Sequence, residues 1–221
     1  MSVISKDTFR FLQQISVNNN KTWFEKNRPL YEKAKSEYIS FIKKLIEGIR
    51  NLENIPEKDP AKYVMRIYRD IRFSKDKTPY KIFFGSIIDR GSDNSKCPLY
   101  LQIQPGKSMM GGGIWDPPPE VLKNVRQEID YNANGLIKII HSKEFLKHFG
   151  KMSGEKLARP PKGYHADNPN IELLKFKQLF IQRDFDDDLV LSRQLIPEIL
   201  KSYKAALPFF NYFDIARGEL P

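Results

Sequence analysis

Between Asn51 and Pro60 the hydrophobic period of this chain changes, and that change constrains the fold more than any other feature. Upstream, Tyr31, Ala34, Tyr38, Phe41, Ile42, Leu45 and Ile49 recur at helical spacing, while Glu32, Lys33, Lys35, Glu37, Lys43, Lys44 and Glu47 fill the opposite face. This predicts a long amphipathic helix lying on a core, with Pro29 suited to its first turn. Downstream the period becomes two. Tyr63, Met65, Ile67, Ile71 and Phe73 fall on one side of an extended segment, and Val64, Arg66, Tyr68, Asp70 and Arg72 fall on the other. Arg69 interrupts the apolar side, which predicts a bulge or a strand end nearby.

Further strands follow. Ile82 to Asp89 reads as one, Leu99, Leu101 and Ile103 alternate with polar neighbours in the next, and Ser108 to Ile114 returns after Pro105-Gly106. Arg90 to Ser95 is turn material. Short turns between successive strands favour an antiparallel meander over βαβ units. Before the long helix, Ser5 is placed to cap a helix bearing Phe9, Leu12 and Ile15, and Asn20 to cap a turn containing Trp23 and Phe24. After the strands, Asp116 is expected to cap a helix opened by three prolines, with Val121, Leu122, Val125 and Ile129 buried. Leu136 to Ile140, Phe145 to Phe149 and Ile171 to Leu179 read as further helical pieces, and Leu157 to Pro169 as a proline-rich loop. Leu189 to Leu207 is mainly helical, with Pro197 in a first turn or at a kink. No repeat or linker interrupts the chain. The expectation is one α+β domain over residues 1–221, a curved, mainly antiparallel sheet packed with N- and C-terminal helices.

Hydrophobic content of 40% with 29% charged residues is that of a soluble globular protein. No apolar run approaches the roughly 18 residues of a membrane span, and the N-terminus lacks the apolar core of a signal peptide. Cys97 is the one cysteine, so no intrachain disulfide can form. The expected compartment is the cytoplasm, with no membrane partner. A net charge of +10 favours anionic partners. An anionic small molecule is the first such partner and nucleic acid the second, because lysine is spread along the chain without a basic run. Nothing in the sequence names a cofactor or an oligomeric state.

The charge concentrates between Arg66 and Lys81, where three arginines, three lysines, two aspartates and two tyrosines occupy sixteen residues. On the extended reading, Arg66, Asp70 and Arg72 project from one face. Two guanidiniums can grip a phosphate or carboxylate bidentately, and Asp70 can orient one of them. In the loop that follows, Asp76 and Lys77 are the candidates for proton transfer, and Tyr80 and Lys81 for contacts to the anion. Lys162, in the proline-rich loop, is a further candidate to cover this face. The same residues equally suit a structural network: Arg–Asp pairs are often architectural, and Asp76 before Pro79 can close a turn. Three expectations stay open: a site for a phosphate- or carboxylate-bearing ligand, a nucleic-acid binding module, and a structural or interaction protein without a small ligand.

Other candidates are poorer. Gly111-Gly112-Gly113 suits a closely packed strand better than an anion cradle, and Trp23 and Phe24 suit core anchors. His141, His148 and His165 have no metal-site spacing, so no metal is expected. Asp186-Asp187-Asp188 reads as an acidic helix start. Pro105-Gly106-Lys107-Ser108 lacks the first glycine of a phosphate-binding loop and precedes a strand. Cys97 has no evident base.

Three segments together carry a family resemblance: Asn19-Asn20-Lys21-Thr22-Trp23-Phe24, Arg69 through Lys81, and Gly111-Gly112-Gly113-Ile114-Trp115 followed by proline and a helix. Leu157 to Pro169 adds a fourth. On these motifs the chain resembles the DUF2461 family of bacterial and fungal proteins over nearly its whole length. The resemblance implies a single-domain, stand-alone protein and brings no established activity. Trp115 and Asp116 depart mildly from the family pattern.

Overall fold

The computed structural model describes residues 4–91 and 96–216; the expected turn over residues 92–95 lies outside the described residues. Local signals set the first helices. Ser5 accepts a hydrogen bond from the Thr8 amide and opens α1 (Lys6–Val17), and Asn20 accepts one from the Trp23 amide and opens α2 (Lys21–Lys26). Pro29 stands in the first turn of α3 (Arg28–Arg50). As the period predicts, Tyr38, Phe41, Ile42, Leu45 and Ile49 of α3 are fully buried, the last four contributing about 1.5–3 kcal/mol each relative to exposure.

The strands are β1 (Phe84–Ile88), β2 (Leu99–Ile103), β3 (Ser108–Ile114) and β4 (Leu179–Phe185), ordered β1-β2-β3-β4 in an open antiparallel sheet. The remaining helices are α4 (Pro119–Ile140), α5 (Lys143–Phe149), α6 (Ile171–Leu174), α7 (Asp187–Val190) and α8 (Leu195–Ala216). The fold is therefore α+β. Among the described residues, no helix is long and apolar enough to cross a membrane.

The chain forms two compact units that interleave along the sequence. The described residues of Met1–Ile88, Tyr100–Met110 and Asp184–Leu200 make the first, and those of Asp89–Leu99, Gly111–Arg183 and Lys201–Pro221 make the second. Interleaved units leave no linker for composition to reveal. In the first, α1 packs on α3, and α3 on β1. In the second, Tyr203, Ala206, Phe209, Phe210 and Phe213 of α8 are fully buried, and the Phe209 ring lies 5.8 Å from that of Phe145 on α5. Arg90, read from sequence as turn material, has no solvent exposure on its side chain. It donates to Asp214 (2.9 Å), Asn211 (2.8 Å) and the Tyr203 hydroxyl (3.2 Å), and Asp214 also accepts from the Cys97 amide (2.7 Å).

Five expectations are corrected. Tyr63 to Phe73 is not a strand. It starts in a 3-10 turn (Pro60–Tyr63) capped by Asp59, and continues as an irregular ribbon held by isolated bridges at Val64 and Tyr68. The ribbon ends where the polar side chains of Arg69 and Asp70 bond within the loop, so Asp70 and Arg72 share no strand face, and Phe73 is 96% exposed. Asp116 caps nothing: its φ is +46°, and Pro118 holds the N-cap position of α4 without a side-chain bond. Leu136 to Ile140 belongs to α4, which is broken only at Asn132. Finally, the helix expected over Ile171 to Leu179 stops at Leu174, and β4 follows with Leu179, Ile181 and Phe185 buried in alternation. α8 also starts and ends later than Leu189–Leu207, with Pro197 in its first turn. The glycine run before Asp116 has the close-packing role expected. At Gly113, with φ of +130°, a Cβ would stand 2.4 Å from the Leu179 carbonyl oxygen.

Candidate functional site

The motif from Arg66 to Lys81 folds as an irregular hairpin in the first unit. Its backbone is paired by the Arg69 amide to the Pro79 carbonyl (2.9 Å) and by the Lys81 amide to the Ile67 carbonyl (2.7 Å). At its mouth the Met65 amide donates to the Gly85 carbonyl of β1 (2.9 Å). The two arms therefore meet, and residues 70–78 form the tip.

Arg69 closes that tip. Its guanidinium donates to Asp76 (2.5 Å), to the Thr78 carbonyl (3.0 Å) and to the Thr78 hydroxyl. The other oxygen of Asp76 accepts from the Thr78 amide (2.9 Å). The Thr78 amide and hydroxyl, with Arg69, hold the Asp76 carboxyl below its ordinary pKa. Lys77 folds back to donate to the Ile71 carbonyl (2.9 Å). Asp76 and Lys77, the residues expected to move protons, thus lie beside each other in sequence but spend their polar groups on the loop itself.

Asp70 and Arg72 form a second, exposed pair. Arg72 Nε and Nη2 donate to the two Asp70 oxygens at 3.0 and 2.7 Å, and the Arg72 amide donates to Asp70 Oδ1 at 3.2 Å. This turn fixes the guanidinium plane, and the Arg72 contact lowers the Asp70 pKa. Arg66 also bears on Asp70 electrostatically, and on Lys81, which donates to the Arg66 carbonyl oxygen at 2.8 Å. Partial burial, then the charge of Arg66, lowers the Lys81 pKa. Among the described residues, the Arg66 side chain has no hydrogen bond or ion pair. Arg66 is thus within electrostatic reach of both Lys81 and the Asp70–Arg72 pair. Lys162 is exposed and belongs to the second unit.

Tyr80 anchors the base. Its ring is 3% exposed and stacks on Phe24 of α2 at 4.1 Å. The Asn19 side-chain amide clamps its backbone in both directions, donating to the Tyr80 carbonyl (2.9 Å) and accepting from the Tyr80 amide (3.0 Å). Burial raises the Tyr80 phenol pKa. Tyr68 lies opposite Tyr80 with ring centroids 5.5 Å apart and keeps 45% exposure. Arg28, paired with Glu25 at 2.7 Å, lies 5.5 Å from the Phe24 ring centroid. Two motifs separated by some sixty residues thus form one assembly.

Sequence reasoning gave Arg69 and Asn19 no role in the site. The signal for Arg69 was its position as the one charged residue on the apolar side of the ribbon. For Asn19 there was no local signal, since its partner lies 61 residues away. What the fold and this site define is an α+β protein that carries a braced, cation-rich hairpin on a helical base. The chain belongs to the family described as Conserved hypothetical protein (DUF2461), whose model matches residues 7–212. No curated protein and no solved structure matches the chain.

Proposed function

We propose that the hairpin binds a phosphate- or carboxylate-bearing ligand through Arg66, Arg72 and Lys81. The observation that carries this is Arg66: a guanidinium with no hydrogen bond or ion pair among the described residues, beside a lysine whose charge it disfavours. An anion between these cations would remove the repulsion and supply acceptors to both. Arg72, held in plane by Asp70, is pre-organised for a second charge-assisted contact. In this proposal Asp76 and Lys77 are positioning residues that keep the tip closed. They would act on protons only after giving up their present bonds. Tyr80 supports the site through its buried ring.

The test is a thermal-shift screen with pyrophosphate, sugar phosphates, nucleotides and dicarboxylates, run on the wild type and on Arg66→Ala. A ligand at one hundred times its Kd adds about 2.7 kcal/mol, a midpoint shift of about 5–10 °C for a chain of this size. A shift in the wild type that vanishes in a folded Arg66→Ala supports the site. Absence of any shift, with Arg66→Ala as stable as the wild type, refutes it and leaves the hairpin as a structural element.

A further inference from the structure

Phe73 stands at the end of the hairpin tip with 96% of its surface exposed. A phenylalanine so exposed in a mobile loop would mean little, but this tip is braced. Arg69 bonds Asp76 and Thr78 across it, Arg72 bonds Asp70, Lys77 bonds the Ile71 carbonyl, and the Ser74 amide reaches the same carbonyl at 3.3 Å. These bonds close the loop that carries Phe73, and the ring stays 96% exposed. The surroundings of the ring are cationic. The Arg72 guanidinium lies 6.0 Å from the ring centroid, and Lys75 and Lys77 are exposed on the same tip. From Arg66 to Lys81 the hairpin carries six basic side chains against two acidic ones. A second aromatic, the half-exposed Tyr68, stands lower on the same hairpin. An exposed aromatic ring among several cations suits a ligand that alternates planar bases with phosphates.

Building on the anion-binding proposal above, we propose that the ligand is single-stranded nucleic acid, with phosphates held along Arg66, Arg72 and Lys81 and an unstacked base seated on Phe73. A duplex is a poorer fit, because its bases are already stacked and have no free face for the ring. Phosphate contacts made by arginine and lysine carry no sequence information, so binding is expected to tolerate sequence. It is also expected to weaken as salt rises, with a log–log slope of about −0.7 for each phosphate neutralised.

The experiment is fluorescence anisotropy of labelled twelve-nucleotide strands with the full chain. The probes are oligothymidylate, an abasic strand of equal length and charge, and a duplex. The proteins are the wild type, Phe73→Ala and Arg66→Ala, with pyrophosphate titrated separately by calorimetry. Phe73 buries almost nothing, so Phe73→Ala leaves the fold intact, as circular dichroism will check. The expected result is that the wild type binds oligothymidylate about 10-fold tighter than the abasic strand, that Phe73→Ala removes most of this difference, and that Arg66→Ala weakens both strands. Equal binding of the two strands, unchanged by Phe73→Ala, overturns the inference and leaves an anion site. Pyrophosphate binding without oligonucleotide binding does the same. Capture of the protein by phosphatidylserine vesicles, lost in Phe73→Ala, with no binding of any strand, overturns it in favour of a lipid surface. No binding of strands or pyrophosphate overturns the inference and the anion site together.

Discussion

Replacing Asn19 with alanine tests whether the hairpin is held at its base by one side chain. Asn19 makes two hydrogen bonds to the backbone of Tyr80, at 2.9 and 3.0 Å, and Tyr80 is almost fully buried. Each bond is worth about 1 kcal/mol net, and each backbone group left buried without a partner adds about 1–3 kcal/mol of desolvation cost. Water reaches part of the gap left by Asn19, which is only half-buried, so the expected loss is about 2–4 kcal/mol. At this chain length that lowers the melting temperature by about 5–15 °C. Urea denaturation followed by circular dichroism measures the loss, and hydrogen exchange locates it, because the Tyr80 amide should exchange much faster. Asn20→Ala is the internal control. It removes only the cap of α2, worth about 1 kcal/mol, and leaves the Tyr80 amide protected. Asn19→Asp should fall between them, since the carboxylate still accepts from the Tyr80 amide but offers no donor to its carbonyl. A loss below about 0.5 kcal/mol in Asn19→Ala, or an unchanged Tyr80 amide, would refute the reasoning.

Three further outcomes are expected. Asp70 and Asp76 both have folded-state pKa values below the ordinary 3.8. The unfolded chain therefore takes up these protons first, so the stability they lend is present above about 3.8 and is lost as the pH falls through their folded values. The Thr78 amide resonance should report the Asp76 step, and a transition at or above the ordinary value would contradict it. In the second unit, Asp214→Ala removes the carboxylate that neutralises the buried Arg90 guanidinium and accepts from the Cys97 amide, and should cost about 3–5 kcal/mol in denaturant titrations; near-neutrality would mean that the remaining bonds of Arg90 to Asn211 and Tyr203 suffice. Gly113→Ala should fail to give stable protein, or lose more than about 2 kcal/mol, because its Cβ would meet the Leu179 carbonyl in a backbone conformation that disfavours side chains.

What the sequence made legible follows from the range of each signal. The face of α3, the caps at Ser5 and Asn20, and strands β2 and β3 rest on residues a few positions apart, so period and capping chemistry suffice. β4 was hidden because Gln182, Arg183 and Asp184 break up its apolar alternation, and its neighbour β3 lies some seventy residues earlier. The Arg66–Lys81 segment stood out in the sequence because its charges are consecutive, but the way it folds was not legible. Period two over residues 63–73 implied a strand face, whereas side chains decide the shape there: Asp70 bends the chain toward the Arg72 amide and Arg69 ties down Asp76 and Thr78. Asp76 and Lys77 bond within the loop, and among the described residues of the hairpin the side chains of Arg66 and Lys75 have no bonded partner. The Asn19 clamp and the Arg90–Asp214 pair join residues 61 and 124 positions apart, a separation at which a single sequence carries no pairing signal.

The most direct measurement of the central claim is an NMR titration of the isotope-labelled wild type with pyrophosphate. The account predicts saturable shifts confined to the hairpin, largest at Arg66, Arg72 and Lys81, with the Arg66 side-chain Nε–H moving from exchange-broadened to protected, and loss of these shifts in Arg66→Ala. Shifts that map to other surfaces, or none at millimolar pyrophosphate, would contradict it.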